Sequence, residues 1–140
     1  MDLVTHIGYA AGYSVVGVAI LVLGYVALDL LTPGHLGSHI YVERSVNAAI
    51  VLAAAFVGLG LIVFTAIWTN AVSGFGSALG WTIAFGVLGV LLQSLAFRLL
   101  DLATPGDLPA MLVEPAFHPA SLISAAAHLA VSLVVVAAIA

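Results

Sequence analysis

The sequence predicts an all-α, polytopic membrane protein with four transmembrane helices, and three observations lead to this fold class. Of its 140 residues, 64% are hydrophobic and 6% are charged, whereas a soluble domain carries about 25% charged residues. Four apolar stretches of 20 to 23 residues match the roughly 20 residues that a helix needs to cross a bilayer. These stretches are apolar on every side, unlike the alternating strands of a membrane barrel.

The predicted spans are residues 9–31, 48–68, 79–100 and 121–140. They leave no room for a separate soluble domain, so we expect residues 1–140 to form one membrane domain. We expect the first span to be retained, because it is too long for a signal peptide and Asp2 stands where a basic segment should be. The second connection, residues 69–78, is uncharged and contains Gly74 and Gly76, which predicts a tight turn.

The other two connections, residues 32–46 and 103–120, are longer and hold seven charged or histidine side chains: His35, His39, Glu43, Arg44, Asp107, Glu114 and His118. Both arginines lie on this side, Arg44 in the first loop and Arg98 one turn before the third. Because positive residues are enriched in cytoplasmic loops, the sequence predicts that loops 32–46 and 103–120 are cytoplasmic and that both termini are outside.

An internal repeat relates the two halves of the chain at a shift of 72 residues. Residues 29–34 (DLLTPG) recur as residues 101–106 (DLATPG). The pattern predicts two tandem helical hairpins, at about 1–70 and 71–140. Each contains an even number of spans, so the two should share one orientation and be exchanged by an axis along the membrane normal.

This repeated turn, followed each time by a glutamate before the next apolar helix, resembles the bacterial inner-membrane family called domain of unknown function 350. The resemblance covers nearly the whole chain and implies a multi-pass, four-span protein of the bacterial cytoplasmic (inner) membrane, without an established activity. In the second half, His118 and Pro119 stand where an asparagine and a small residue are usual. The family's motif positions in this sequence are Asp29, Thr32, Pro33, Gly34, Glu43, Asn47, Asp101, Thr104, Pro105, Gly106 and Glu114.

Asp29 and Asp101 each lie in the last turn of a span. Acidic residues in a span are costly, and the negative end of the helix dipole is unfavourable for a carboxylate. One interpretation is that each aspartate locks its own turn by accepting hydrogen bonds from Thr32 or Thr104 or from loop amides. A second is that the pair faces the bundle interior and binds a cation or shares a proton. A third is that the acids bind a partner.

The two halves differ around these acids. Arg98 stands three residues before Asp101, on the same helix face, and a valine takes its place in the first half. We therefore expect Asp101 to have a built-in counter-ion, which makes Asp29 the better candidate for cation or proton binding. Tyr25 lies one turn before Asp29 and is placed to donate a hydrogen bond to it.

Gln93 and His128 are polar residues inside the third and fourth spans. Polar groups within a span are functional candidates by default, and together with Asp101 they would line a polar path if their helix faces converge. The structural alternative, which we favour for each, is a hydrogen bond to a neighbouring helix worth about 1 kcal/mol.

His35 and His39 have the i, i+4 spacing that presents two imidazoles to a metal on a helix. They follow Pro33 and Gly34, so the sequence does not decide whether they lie on a helix. It positions no third ligand, although Glu43 and Glu114 in the same layer are candidates. We therefore interpret them as polar loop residues and predict no metal site.

Composition and motifs exclude several functional classes. The chain contains no cysteine, which excludes disulfides and thiolate chemistry, and it has no cationic patch for nucleic acid. No nucleophile and base stand at a catalytic spacing, so we predict neither an enzyme nor a cofactor.

The predicted function is that of a small membrane interaction or accessory subunit in the lipid bilayer, which self-assembles or joins other membrane-protein subunits. The alternative is an oligomeric cation or proton channel or transporter that uses Asp29 and Asp101. Several protomers would be needed for it, because four tightly packed helices leave little room for a pore.

Overall fold

The computed structural model describes residues 1–140 and contains helices but no strands. A single 3-10 turn, Ala71–Ser73, follows the second long helix. The six α-helices are α1 (Leu3–Leu31), α2 (Leu36–Tyr41), α3 (Val46–Asn70), α4 (Phe75–Ala103), α5 (Leu108–Leu112) and α6 (Ala120–Ile139). Four of them, α1, α3, α4 and α6, are long and apolar enough to cross a membrane, which confirms the predicted fold class.

Helices α1 and α3 begin before the predicted apolar spans, and a polar side chain caps the start of each. Asp2 caps α1 by accepting a hydrogen bond of 2.9 Å from the Thr5 amide. The Thr5 hydroxyl also donates to this carboxylate, which lowers the pKa of Asp2. Ser45 caps α3 in the same way, through the Ala48 amide at 3.3 Å.

The four long helices pack as two hairpins placed side by side. Like helices of the two halves are neighbours, α1 beside α4 and α3 beside α6, and α3 also packs against α4. A twofold axis that exchanged the two halves would map α1 onto α4 and α6 onto α3. The contact between α3 and α4 would then have to recur between α1 and α6. Instead, α1 and α6 lie on opposite sides of the α3–α4 pair, so the predicted exchange axis is wrong.

The loops fold back onto one end of the bundle instead of running irregularly across the membrane surface. Short helices α2 and α5 bury Leu36, Leu108 and Leu112, each about 1% exposed, against Leu28 and Phe97. Burying a leucine contributes about 1.5–3 kcal/mol, so these side chains anchor the loops. A second apolar cluster fills the middle of the bundle and comprises Ile20, Leu59, Ile62, Val63, Val90 and Val135.

Candidate functional site

Each acidic residue of the repeated turn bonds to the amide of its own loop. Asp29 Oδ1 accepts a hydrogen bond of 2.6 Å from the Leu36 amide. At the matching position in the second half, Asp101 Oδ1 accepts one of 3.1 Å from the Leu108 amide. In both halves, the carboxylate therefore joins the end of a long helix to the first residue of the short helix that follows. This geometry agrees with the interpretation that each acid locks its turn.

The remaining residues of the repeated turn close it locally. The hydroxyls of Thr32 and Thr104 donate to carbonyls four residues earlier in their own helices, at 3.0 and 2.7 Å, and not to the carboxylates. Gly34 and Gly106 have φ angles of 74° and 109°, in the left-handed region that favours glycine. The duplicated threonine, proline and glycine thus stop each long helix and turn the chain back over the bundle.

Two predicted partners of the acids are wrong. Arg98 forms no ion pair with Asp101, since the pair between His39 and Glu43 is the one salt bridge of the structure. Tyr25 does not donate to Asp29, and its hydroxyl lies against α2 instead, 3.0 Å from where a Cβ on residue 37 would stand. The physical reason is the same for both, because the carboxylates turn toward amides that follow them in the chain.

A second part of the site joins α3 to the loop before α6. Asn47 is fully buried, and its Nδ2 donates to the carbonyls of Glu114 and Ala116 at 3.0 and 2.7 Å. Its Oδ1 accepts a hydrogen bond of 2.8 Å from the His118 amide. The sequence singled out Asn47, Glu114 and His118 separately, and the structure brings them together through the backbone of the loop.

Ser45 completes this junction and was missed as a site residue. Its hydroxyl donates to the Glu114 carbonyl at 2.7 Å. Glu114 therefore takes part in the junction through its backbone and not through its carboxylate. The signal available in the sequence was a serine just before an apolar helix, which indicates a cap. His118 Nδ1 in turn accepts a hydrogen bond of 3.0 Å from the Ala120 amide at the start of α6.

His39 and Glu43 hold the first loop closed. His39 Nδ1 lies 2.8 Å from Glu43 Oε2, and Nε2 lies 2.6 Å from the Pro33 carbonyl oxygen. Both partners only accept, so both ring nitrogens donate when the histidine is protonated. The hydrogen bond to Glu43 raises the pKa of His39. With both nitrogens engaged, His39 does not pair with His35 as a metal site.

Removing the Glu43 carboxylate should lower the pKa of His39. Because the folded-state pKa lies above the unfolded value of about 6.5, the contribution of this pair to stability is full below that pH and is lost as pH rises through the raised pKa. An NMR titration of the His39 ring protons should move to lower pH in Glu43→Gln. Glu114→Gln is the matched control and should leave the titration unchanged, whereas identical His39 curves in Glu43→Gln and wild type would contradict the assignment.

A buried polar network connects α3, α4 and α6. Gln93 Nε2 donates to the Ala55 carbonyl at 3.3 Å and to Ser132 Oγ at 2.8 Å. Ser132 Oγ donates to the carbonyl of His128 at 2.8 Å. Gln93 is therefore linked to the backbone of His128 and not to its ring, and the Asp101 carboxylate turns to its loop amide, so the three side chains do not form the polar path considered from the sequence.

The His128 ring is the least satisfied polar group of the protein. It is 4% exposed, neither ring nitrogen has a hydrogen-bond partner, and the same holds for Ser124 Oγ. The ring lies instead against Phe97, with centroids 6.2 Å apart. A buried unpaired polar group costs about 1–3 kcal/mol.

His128→Leu should therefore leave the unfolding free energy unchanged or raise it, because leucine has a similar volume and no unpaired nitrogen. Gln93→Leu should lower it, because that residue is paired. Unfolding of the two variants, followed by titration with a denaturing detergent, compares the signs. A clear loss of stability in His128→Leu would contradict the expectation.

Comparison with known proteins assigns the chain to a family. A family model described as Domain of Unknown Function (DUF350) matches residues 2–139. The chain belongs to the DUF350 family. The resemblance carried by the repeated turns is thereby confirmed.

The relatives of this DUF350 protein are also named as membrane proteins. It is 37% identical over 127 residues to a UPF0719 transmembrane protein of Mycolicibacterium paratuberculosis, covering 91% of this chain and 83% of the relative. UPF0719 transmembrane proteins of Mycobacterium bovis and Mycobacterium tuberculosis are 34% identical with the same coverage. No solved structure matches. The chain is a small transmembrane protein of uncharacterised function, and no enzymatic family is indicated.

Proposed function

We propose that this DUF350 protein is a non-catalytic membrane interaction subunit that self-assembles through one face of α4. The observation that carries the proposal is a row of small residues left open on the outside of the bundle. Gly76 and Gly80 are exposed, and a Cβ added at either would meet nothing within 4 Å. Ala84 follows at the same spacing and is exposed, so the three share one helix face.

Several other glycines of the spans serve packing within the bundle instead. A Cβ at Gly86 or Gly89 would press against isoleucine side chains of the neighbouring helices, so these glycines serve packing within the bundle. On α1, Gly8 is open but Gly12 is not, because a Cβ at Gly12 would lie 2.7 Å from the Phe75 ring. In lipid, helices associate through close backbone approach at small residues. The open face of α4 is thus suited to a second copy of this chain.

Replacing Gly80 with leucine tests the proposal. The wild type should self-associate in lipid bilayers, measured by energy transfer between labelled copies at increasing lipid dilution, and Gly80→Leu should reduce this association. Gly8→Leu is the matched control, because it adds the same side chain at the equivalent position of the first half. A wild-type chain that stays monomeric at all dilutions and copurifies with no second subunit would overturn the proposal.

The contacts inside the bundle favour a function in protein interaction over a function in ion conduction. Both candidate acids bond to loop amides at the ends of their helices, and an apolar cluster fills the middle. We therefore expect liposomes with this protein to pass protons and monovalent cations no faster than empty liposomes, with no change in Asp29→Asn. Flux that depends on Asp29 would favour a conductor instead.

The proposal places the protein in the bacterial inner membrane, with loops 32–46 and 103–120 in the cytoplasm and both termini outside. The chain has no cysteine, so single cysteines report on sidedness directly. In intact cells, an impermeant thiol reagent should label Ser73→Cys, in the turn between α3 and α4, and not Ser38→Cys. The reverse labelling would invert the topology.

A further inference from the structure

A polar cavity lies at the loop end of the bundle, between the ends of α1 and α4. Its volume is about 600 Å³. Its charged lining consists of Arg98, Asp101 and Asp107, and Pro33 and Gly106 also line it. We refer to it as the loop-side cavity.

Arg98 lies near the expected boundary of the hydrocarbon core, from which its long side chain reaches toward the phospholipid headgroups. The helix α4 has 29 residues, about 44 Å at roughly 1.5 Å per residue, so a core of about 30 Å ends some seven ångströms inside each terminus. Arg98 lies five residues before the end of α4, close to that boundary. Its side chain is exposed and forms no salt bridge, so its guanidinium is available to a ligand.

An apolar groove between α1 and α4 continues from this cavity toward the middle of the membrane. Leu30 lines both spaces, and the groove has a volume of about 300 Å³. Its walls are formed on α1 by Leu23, Val26 and Ala27 and on α4 by Val87, Val90 and Leu91. The groove therefore follows one leaflet inward from the position of Arg98, as an acyl chain does.

The charges of the cavity select the headgroup. Each aspartate uses one oxygen for a loop amide, Asp101 for Leu108 at 3.1 Å and Asp107 for Ala110 at 3.1 Å, and the second oxygen of each has no hydrogen-bond partner. The cavity thus offers one cationic group and two anionic oxygens. A guanidinium fits a phosphate in a two-point contact, and the carboxylates fit an ammonium group.

We propose that the loop-side cavity and the α1–α4 groove bind a zwitterionic glycerophospholipid with a primary ammonium headgroup. Its phosphate contacts Arg98, its ammonium contacts Asp101 and Asp107, and one acyl chain lies in the groove. An anionic glycerol headgroup would face the two carboxylates without a counter-charge. A quaternary ammonium headgroup has no N–H to donate to them.

The test compares lipids on the full-length protein in mild detergent. The protein is equilibrated with equal amounts of dioleoyl phosphatidylethanolamine, phosphatidylglycerol and phosphatidylcholine, and retained lipids are counted by native mass spectrometry. Wild type should retain phosphatidylethanolamine preferentially. Arg98→Gln should lose this retention roughly tenfold, equivalent to about 1.4 kcal/mol.

Two further variants separate this site from ordinary lipid contact. Asp107→Asn keeps the helix cap, because asparagine also caps, but it removes a negative charge, so the preference should shift toward phosphatidylglycerol. Arg44→Asn removes the other arginine of the loops at a residue with φ of 60°, which asparagine tolerates, and it should leave retention unchanged. Equal retention of the three lipids by wild type, or wild-type retention in Arg98→Gln, would overturn the proposal.

Discussion

Replacing Asn47 with alanine is expected to lower the free energy of unfolding by about 2–4 kcal/mol, since it removes three hydrogen bonds of a fully buried side chain, each worth about 0.5–1.5 kcal/mol. The Ala116 carbonyl and the His118 amide lose their hydrogen bonds to Asn47. The Glu114 carbonyl keeps the one from Ser45. The loss should appear in denaturing-detergent titrations followed by tryptophan fluorescence.

Asn70→Ala is the matched control for this prediction. Asn70 lies at the other end of α3, where its amide donates only to groups of its own helix end, the Ala66 carbonyl and the Thr69 hydroxyl. Its replacement should change stability by less than about 0.5 kcal/mol, as is usual for surface substitutions. If the two variants were equally stable, the junction between α3 and the loop before α6 would not carry the stability assigned to it.

Gly58→Val is expected to be the second most damaging substitution, because α6 packs directly against α3 at this glycine. A Cβ at residue 58 would collide with Ser132 Oγ and would lie 2.8 Å from Ser132 Cβ and 2.9 Å from Gln93 Nε2. Backbone-attached atoms such as Ser132 Cβ do not move easily, so the helices must separate. The Gln93–Ser132 hydrogen bond would be lost with them.

Gly60→Val controls for the change in helix propensity, because valine is a better helix former than glycine at both positions. Both glycines lie in α3, and a Cβ at residue 60 would meet nothing within 4 Å. Gly58→Val should be less stable than Gly60→Val by about 1–3 kcal/mol, the usual cost of overpacking. Thermal unfolding of the two variants in the same detergent measures this difference, and equal midpoints would show that α3 and α6 do not depend on the glycine.

The repeated turn shows which structural features a short stretch of sequence can predict. The spacing of aspartate, threonine, proline and glycine predicted both the helix ends and the possibility that loop amides satisfy the acids. These interactions span at most seven residues, so they follow from short-range geometry. The short helices α2 and α5 were not predicted, because they depend on leucines that are buried against residues far away in the chain.

The partners of individual side chains could not be predicted from helix spacing. Arg98 is one turn from Asp101 along α4, yet the carboxylate prefers an amide that the loop brings to it. Asn47 bonds to a loop about 70 residues away. In each case the deciding contact depends on how the chain folds back, which a pattern along one helix does not contain.

The amino-acid sequence alone determined that this chain is a four-helix membrane protein with two similar turns on one side. Apolar length and the need to satisfy the backbone in lipid decide those features locally. Only the tertiary structure decided that the hairpins lie side by side, that the acids face their own loops, and that one arginine remains unpaired beside a groove. Those outcomes depend on which helix faces meet, and packing between distant segments selects among arrangements of similar local energy.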